Sequence, residues 1–372
     1  MPDRVVRAAG RPMIYPRGPE FAALLLECLD GVRWALQTGN EVVLLPASGT
    51  GGLEATAVNL LRPGQRALFC TNGHFSELWA SIAARCGADV VRVTARWGAA
   101  VDAGDVGRAL DDDPAIDTVF VAHNETSTGV LNDVRAIAAV AKAHDCLVAV
   151  DSVCGAPCHP LPVDALGLDA VITASQKGWL APPGLAMVAL SPAAIAAAGR
   201  GECRSWYFDF SRQLTHQHQG MMQMTPPLSV MYALCEGIEM MREEGLPELW
   251  QRHELVSRTV RRGLRTIGLE PVARPGTFSR TVTAVESPWA SAAELTSFLG
   301  DLRDTHGVVL ADGLGALHGR SFRIGHLGPV DQHDVRQTIA ALAETFARRG
   351  LWRASRVSRA AGHYAAPVAA MA

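Results

Sequence analysis

Lysine is almost missing from this chain. Of its 34 basic residues only Lys142 and Lys177 are lysines, so 32 are arginines. Long apolar runs are missing too. The best of them, LAMVALSPAAIAAAG, is broken by Ser and Pro well short of the roughly 18 residues that a membrane span requires. The opening MPDRVVRAAGRP has no apolar centre of the signal-peptide kind. No excess of positive charge is present: the net charge is -3, which removes the electrostatic case for nucleic acid or an anionic membrane as partner. The eight cysteines (28, 70, 86, 146, 154, 158, 203 and 235) are dispersed, several of them inside apolar segments where a thiol acts as a small hydrophobe, and this excludes a disulfide framework. Together these absences leave a soluble, cytoplasmic chain acting on a small neutral or anionic ligand as the expectation.

What is present is alternation. Short runs rich in β-formers (41–46, 66–70, 89–93, 118–123, 146–152, 170–175, 185–191) are separated by Ala- and Leu-rich helical stretches. Their unbroken Val, Ile, Leu and Ala content, without polar alternation, predicts strands buried on both faces of a mainly parallel sheet. Beyond a long helix at LSVMYALCEGIEMMREEG, the runs SRTVTAVES, VVLADG and SFRIGH with flanking helices predict a smaller α+β unit. The expected organisation is an N-terminal segment (1–20), a large α/β domain (21–240), a small C-terminal α+β domain (241–350) and a loose tail (351–372).

The scarcity of lysine gives Lys177, in TASQKGWLAPPG, its interest. Arginine cannot supply a deprotonatable primary amine, because guanidinium stays charged, whereas a desolvated lysine becomes a nucleophile. Lys142, in the amphipathic stretch VRAIAAVAKAHD, reads as a surface lysine; Lys177 reads as a Schiff-base residue.

A Schiff-base lysine serving pyridoxal 5'-phosphate needs an acid for the ring nitrogen, a phosphate cup and a flat contact for the ring. Asp151 closes the apolar strand CLVAVDS at its carboxyl end, where open α/β sheets bind ligands. ASGTGGLEA (47–55) follows a strand and opens a helix, so that its backbone N–H groups, with Ser48 and Thr50, form a natural anion cradle. It matches neither the dinucleotide fingerprint nor the P-loop. Phe75 follows another strand end and can stack on a flat ring.

Taken together, SGTGGLEA, NGHF, HNETSTGV, VDSV, SQKGWLAPPG, TPP and FRIGHLG resemble the class V aminotransferases among the fold-type-I pyridoxal phosphate enzymes. They are most similar to the group acting on alanine, serine, aminoethylphosphonate or pyridoxamine with glyoxylate or pyruvate. The resemblance runs in order from about residue 12 to 345. It implies a Schiff base on Lys177 and a phosphate contact from Gln176, with Ser48, Gly49 and Thr50 as the phosphate cup. It further implies Phe75 and Val153 on the two faces of the ring, Thr126 on the ring hydroxyl and Asp151 on the ring nitrogen. Arg323 would receive the substrate carboxylate through its bidentate fork. Thr225 would reach the cofactor phosphate of a neighbouring subunit, which implies a homodimer with shared sites, an amino donor and a 2-oxo acid as small-molecule partners, and alternation between two cofactor forms.

Three departures bear on substrate choice. The family's N-terminal Gly-Pro turn is not found in MPDRVVRAAGRPMIYPRGPEF; Pro16-Arg17 stands where relatives carry His-Arg; and Met222 replaces a tyrosine three residues before the bridging threonine. Other pyridoxal phosphate reactions (elimination, decarboxylation, racemisation) use the same lysine and aspartate, so transamination rests on Arg323 and the resemblance. Desulfurase chemistry needs a loop cysteine, and none follows Cys235. A reading of another class, a zinc-dependent deaminase using His123, Glu125, Cys154 and Cys158, meets a spacing that fails: three residues separate the cysteines instead of two, and Val153 stands where proline should. His159, His216, His218 and His326 show no metal-ligand pattern.

Overall fold

The structure, a computed structural model, describes residues 1–201, 203–289 and 291–350; the tail expected at 351–372 lies outside the described residues. The strands are β1 (Glu41–Leu45), β2 (Arg66–Thr71), β3 (Asp89–Thr94), β4 (Thr118–Ala122), β5 (Asn124–Glu125), β6 (Val130–Leu131), β7 (Leu147–Asp151), β8 (Ala170–Ala174), β9 (Ala186–Leu190), β10 (Val282–Glu286), β11 (Ala311–Asp312) and β12 (Ser321–Gly325). The α-helices are α1 (Asp3–Ala9), α2 (Pro19–Leu36), α3 (Gly49–Leu60), α4 (His74–Arg85), α5 (Ala103–Asp112), α6 (Val134–Ala143), α7 (Pro192–Ala198), α8 (Phe210–His218), α9 (Leu228–Glu244), α10 (Leu246–Thr266), α11 (Ala292–His306) and α12 (Gln332–Arg348). None of these helices is long and apolar enough to cross a membrane.

All seven expected strands of the first part join one sheet, in the order β1-β9-β8-β7-β4-β2-β3. The run β3-β2-β4-β7-β8 is parallel, while β9 runs antiparallel to both its neighbours. Alternate side chains explain why these strands read as continuous apolar runs. On one face Leu68, Val121, Val150 and Val171 join a core with α2, α6 and α9; on the other, Phe69, Phe120, Ala149 and Ile172 join a second core with α3, α4 and α8. The central strands are therefore apolar on both faces, one for each core, and polar residues fall mainly at strand ends and on the edge strand β3.

The three later strands form a separate antiparallel sheet, β10-β12-β11, backed by Val256, Val260 and Leu264 of α10, Phe298 of α11 and Ile339 and Leu342 of α12. The expected strand VVLADG shrinks to Ala311–Asp312, because Asp312 pairs with Phe322 and Gly313 then turns back to Ser321. The short hairpin β5–β6 was not expected from periodicity.

Candidate active site

Most of the residues singled out in the sequence converge because they follow the carboxyl ends of strands in the large sheet, Thr126 through the short β5 just beyond β4; Arg323 on β12 and Thr225 between α8 and α9 do not. Ser48 follows β1, Phe75 β2, Thr126 β4, Asp151 ends β7, and Gln176 and Lys177 follow β8. Since β2, β4, β7 and β8 are parallel neighbours, their ends open on one cleft.

Asp151 is buried at the floor of this cleft. Its Oδ1 accepts a hydrogen bond of 2.9 Å from the Val153 N–H. Burial pushes the carboxyl up to about 7, against the opposing effect of that hydrogen bond; the Glu125 carboxylate raises it further and the Lys177 charge lowers it. An acid so desolvated is stabilised as an anion by a cation placed against it.

Lys177 sits half-buried in a turn closed by Ser175, whose Oγ donates to Pro182 O (2.6 Å) and accepts from Leu185 N–H (3.2 Å). The turn is rigid. Trp179 is completely buried beneath it and donates Nε1–H to Thr173 Oγ1 at 2.7 Å, and Leu180 adopts a left-handed φ of 68°, a conformation that a bulky side chain holds only when its surroundings dictate it. Gly178 lies so near Cys158 that a Cβ there would approach its Sγ to 2.5 Å. Among the described residues Lys177 Nζ makes neither ion pair nor hydrogen bond, whereas the other lysine, Lys142, pairs with the buried Asp169 and so has a structural role beyond that of a surface lysine.

At the cleft edge, Ser48 caps the start of α3 without a side-chain hydrogen bond, and no acidic residue occupies the helix's first turn. Its exposed hydroxyl, that of Thr50 and the free N–H groups of the turn form an anion cradle. A Cβ at Gly49 would sit 2.9 Å from Val153 Cγ2, so the cradle and the apolar floor beside Asp151 touch, and only glycine leaves the space between them.

The β5–β6 hairpin supplies what the sequence left underused. Glu125, weighed above only as a metal-site partner, is fully buried and caps α4: it accepts from the N–H groups of Phe75 (3.3 Å) and Ser76 (2.9 Å) and from the Ser127 N–H (3.1 Å) and hydroxyl (2.7 Å). It thereby fixes Phe75, half-buried, at the cleft wall. Asn124, 3% exposed, has both amide atoms unpartnered, and Gln176 Oε1 is likewise buried without a partner. Buried amides are ordinarily satisfied, so these two retain unused hydrogen-bonding capacity, as do Gln213 Oε1, Gln223 Oε1 and His306 Nε2 elsewhere among the described residues. Asn124 stands in the quoted HNETSTGV stretch, but nothing in periodicity distinguishes it.

Arg323, on β12 of the second sheet, is half-buried; its Nε donates to Asp312 O at 3.0 Å and it forms no ion pair among the described residues. Burial lowers its pKa, with Cys154, Asp312 and Glu125 acting in the other direction. Thr225 is exposed between α8 and α9, and Arg17 is exposed on the N-terminal segment; neither is brought to the cleft by a recorded contact. Met222 is buried in the core shared with α2 and α9.

The deaminase constellation does not assemble. His123 Nδ1 lies 3.0 Å from Ser152 Oγ, burial pushes the Cys158 thiol up to about 12, and the described residues contain no group of three or more His, Cys, Asp or Glu side chains able to hold a metal. His159 and His326 instead join His253 in a buried junction between the two sheets, paired to backbone and hydroxyl groups.

The profile of the family Aminotransferase class-V matches residues 6–313. The chain belongs to the class-V aminotransferases. Among similar proteins, the soluble hydrogenase 42 kDa subunit of Anabaena cylindrica is 35% identical over 92% of this chain and 89% of its own length. The L-aspartate–glyoxylate aminotransferase of Paracoccus denitrificans is 34% identical over 100% of this chain and 95% of its own. The crystal structure of ureidoglycine–glyoxylate aminotransferase from Bacillus subtilis superposes with a TM-score of 0.90 at 26% identity, covering 98% of this chain and 95% of that one. This class-V aminotransferase thus has the fold-type-I architecture expected of it, with helices on both faces of a mostly parallel sheet.

Proposed function

We propose that this enzyme uses pyridoxal 5'-phosphate to move an amino group between a small amino acid or amine and a 2-oxo acid such as glyoxylate or pyruvate. The observation that carries the proposal is the cleft's unpartnered set: a free lysine amine, a desolvated carboxyl and a half-buried arginine without an ion pair, beside an uncapped helix N-terminus. Pyridoxal phosphate, when bound, supplies a carbonyl carbon for amine capture and a ring that withdraws electrons from the substrate Cα. The residues present fit it. Ser48, Gly49, Thr50 and Gln176 would hold its phosphate, Thr126 and the orphaned Asn124 its ring hydroxyl, and Phe75 and Val153 its two faces. Asp151 would hold a proton on the ring nitrogen by charge. Lys177 Nζ, tethered on its rigid turn, serves first as the covalent anchor and then as the base that takes the proton from substrate Cα. Arg323 orients the substrate carboxylate with its terminal nitrogens, and the turn anchored by Trp179 keeps the amine in register.

A homodimer completes this reading. Met13 (66% exposed), Tyr15, Leu26 and Trp206 leave apolar surface exposed, Thr225 is exposed as well, and the exposed cradle at Ser48 and Thr50 is the position where a second copy's Thr225 would add a phosphate contact. We assign the organisation into a large domain at 21–240 and a small one at 241–350 because the core behind the second sheet is separate from the two cores that flank the large sheet. The eight free cysteines support a cytoplasmic location. The aspartate named for the Paracoccus enzyme and the ureidoglycine named for the Bacillus enzyme define the amino donors to assay first. The hydrogenase-subunit name stays with the Anabaena protein.

The deciding experiment is the visible absorption spectrum of purified protein before and after borohydride, followed by mass analysis of the reduced peptides. A yellow band abolished by borohydride, with the cofactor's mass on Lys177, supports the proposal. A protein that stays colourless with added pyridoxal phosphate overturns it.

A further inference from the structure

The second half of α10 carries more positive charge than its surroundings use. Arg258, Arg262 and Arg265 follow one another at four and three residues, so they share one face of the helix over a rise of about 10 Å. Among the described residues none of the three makes an ion pair or a side-chain hydrogen bond. Elsewhere on the same helix the arginines are paired: Arg252 with Glu244 at 2.5 Å, Arg261 with Glu254 at 3.8 Å. Glu254, the nearest acid, is shared already with Arg280 at 3.0 Å.

These side chains line a groove of about 730 Å3, within the range of small-molecule sites, and no acidic residue lines it. Its wall is fixed. Arg261 lies with its guanidinium 4.5 Å from the centre of the Phe278 ring, and the segment carrying Phe278 is pinned to the β5–β6 hairpin by the Leu131 N–H donating to Thr277 O at 2.7 Å. Burial lowers the Arg261 pKa, Glu254 opposes it, and the neighbouring Arg258 and Arg265 lower it further, so like charges are held together against their repulsion. The helix dipole stabilises Arg265 in the last turn, but its influence fades within a turn, and Arg258 lies eight residues before the end of α10 at Thr266.

We propose that this groove binds a multiply charged phosphate ester of the size of a nucleoside di- or triphosphate. Guanidinium forks match phosphate oxygens bidentately, a row of three spans several phosphates, and the exposed Leu255 with the edge of Phe278 offers an apolar contact for the organic part. The net charge of -3 and the confinement of the cluster to about two helical turns favour a small ligand over a nucleic-acid strand.

The test is titration calorimetry on the cofactor-loaded enzyme, whose phosphate cup is filled, with ATP, tripolyphosphate and orthophosphate as probes. The expected result is saturable 1:1 binding of ATP and tripolyphosphate, at least about tenfold tighter than orthophosphate and weakened by added salt. The Arg258→Gln, Arg262→Gln, Arg265→Gln triple variant should lose at least about tenfold in that affinity while keeping the parent's melting temperature and transamination rate. Absence of saturable binding, unchanged affinity in the triple variant, or a single-stranded oligonucleotide binding more tightly than ATP overturns the proposal. The binding outcomes rest on the groove's arginines and not on Lys177; only the filling of the phosphate cup and the comparison of rates rest on the proposed function, so failure of the two readings is distinguishable.

Discussion

The cleft around Lys177 and the histidine junction between the two sheets bury polar side chains to a similar degree and treat them in opposite ways. At the junction His253 donates Nδ1–H to Leu249 O (2.7 Å) and accepts at Nε2 from the Gly328 N–H (3.2 Å); His326 donates to Arg280 O (3.0 Å) and accepts from the Thr283 hydroxyl (2.9 Å). His159 accepts the Arg280 N–H at 3.0 Å. An imidazole that accepts is neutral, so these rings are locked uncharged, and burial pushes His253 down to about 4 and His326 to about 3. In the cleft, Asn124 and Gln176 have no partners and the Asp151 carboxyl is pushed the other way, up to about 7. The histidines are spent on holding the fold together, whereas the two cleft amides keep hydrogen-bonding capacity that the described residues do not use.

The largest effect that would sharpen this contrast is chemical. Lys177→Ala should reduce turnover by about 1,000-fold or more without moving the far-UV circular dichroism spectrum, since its amine supports no structural contact. Steady-state rates near wild type would place the reactive amine elsewhere. Asp151→Asn should lower turnover by about 100- to 10,000-fold, as a neutral amide holds a ring proton only weakly.

The two regions also differ in the sign of their pH dependence. The histidines have folded pKa values below the ordinary 6.5, so the unfolded chain binds more protons below that pH. Their stability is complete above about 6.5 and falls toward about 4, by up to about 1.4 kcal/mol per pH unit for each ring. Asp151 runs the other way: its folded pKa lies above the ordinary 3.8, so in the cofactor-free protein its contribution is complete below 3.8 and is lost as pH rises through about 7. Urea denaturation of cofactor-free protein at pH 4, 5.5, 7 and 8 should therefore show the His253→Gln variant losing less stability than the parent on acidification. Asp151→Asn should lose less than the parent between pH 5.5 and 8. Parallel pH profiles for parent and variants would dissolve the distinction.

The smallest effects compare single polar groups. His253→Ala, which strands the Gly328 N–H and leaves a cavity, should destabilise by about 2–4 kcal/mol. Asn124→Ala loses no recorded hydrogen bond, so cofactor-free stability should change by less than about 1 kcal/mol, while cofactor affinity falls by about tenfold. Equal destabilisation by the two substitutions, measured as urea midpoints, would mean that Asn124 is structural after all.

Much of this was legible because the relevant signals are local. Unbroken apolar runs located all seven strands of the large sheet; Asp151, Phe75 and the Ser48–Thr50 cradle became candidates by their place at strand ends, Lys177 by the scarcity of lysine, and Gln176, Thr126, Val153, Thr225 and Arg323 through the family resemblance. The β5–β6 hairpin was not legible, because two-residue strands carry no period, and Glu125 was read as part of a metal pattern because its partners at Phe75 and Ser76 lie about fifty residues away. The orphaned state of Asn124 and the paired state of His253 depend on neighbours that no sequence window contains.

By itself the sequence determined the strand and helix periods, the class of fold and the singling out of Lys177 as a candidate, since each depends on residue chemistry at fixed spacing. Only the tertiary structure decided which buried polar groups are satisfied, that Lys142 is tied to Asp169, and that Arg323 stands on β12 of the second sheet, half-buried beside Asp312. Hydrogen-bond satisfaction and desolvation are set by three-dimensional packing, which brings together residues far apart in the chain.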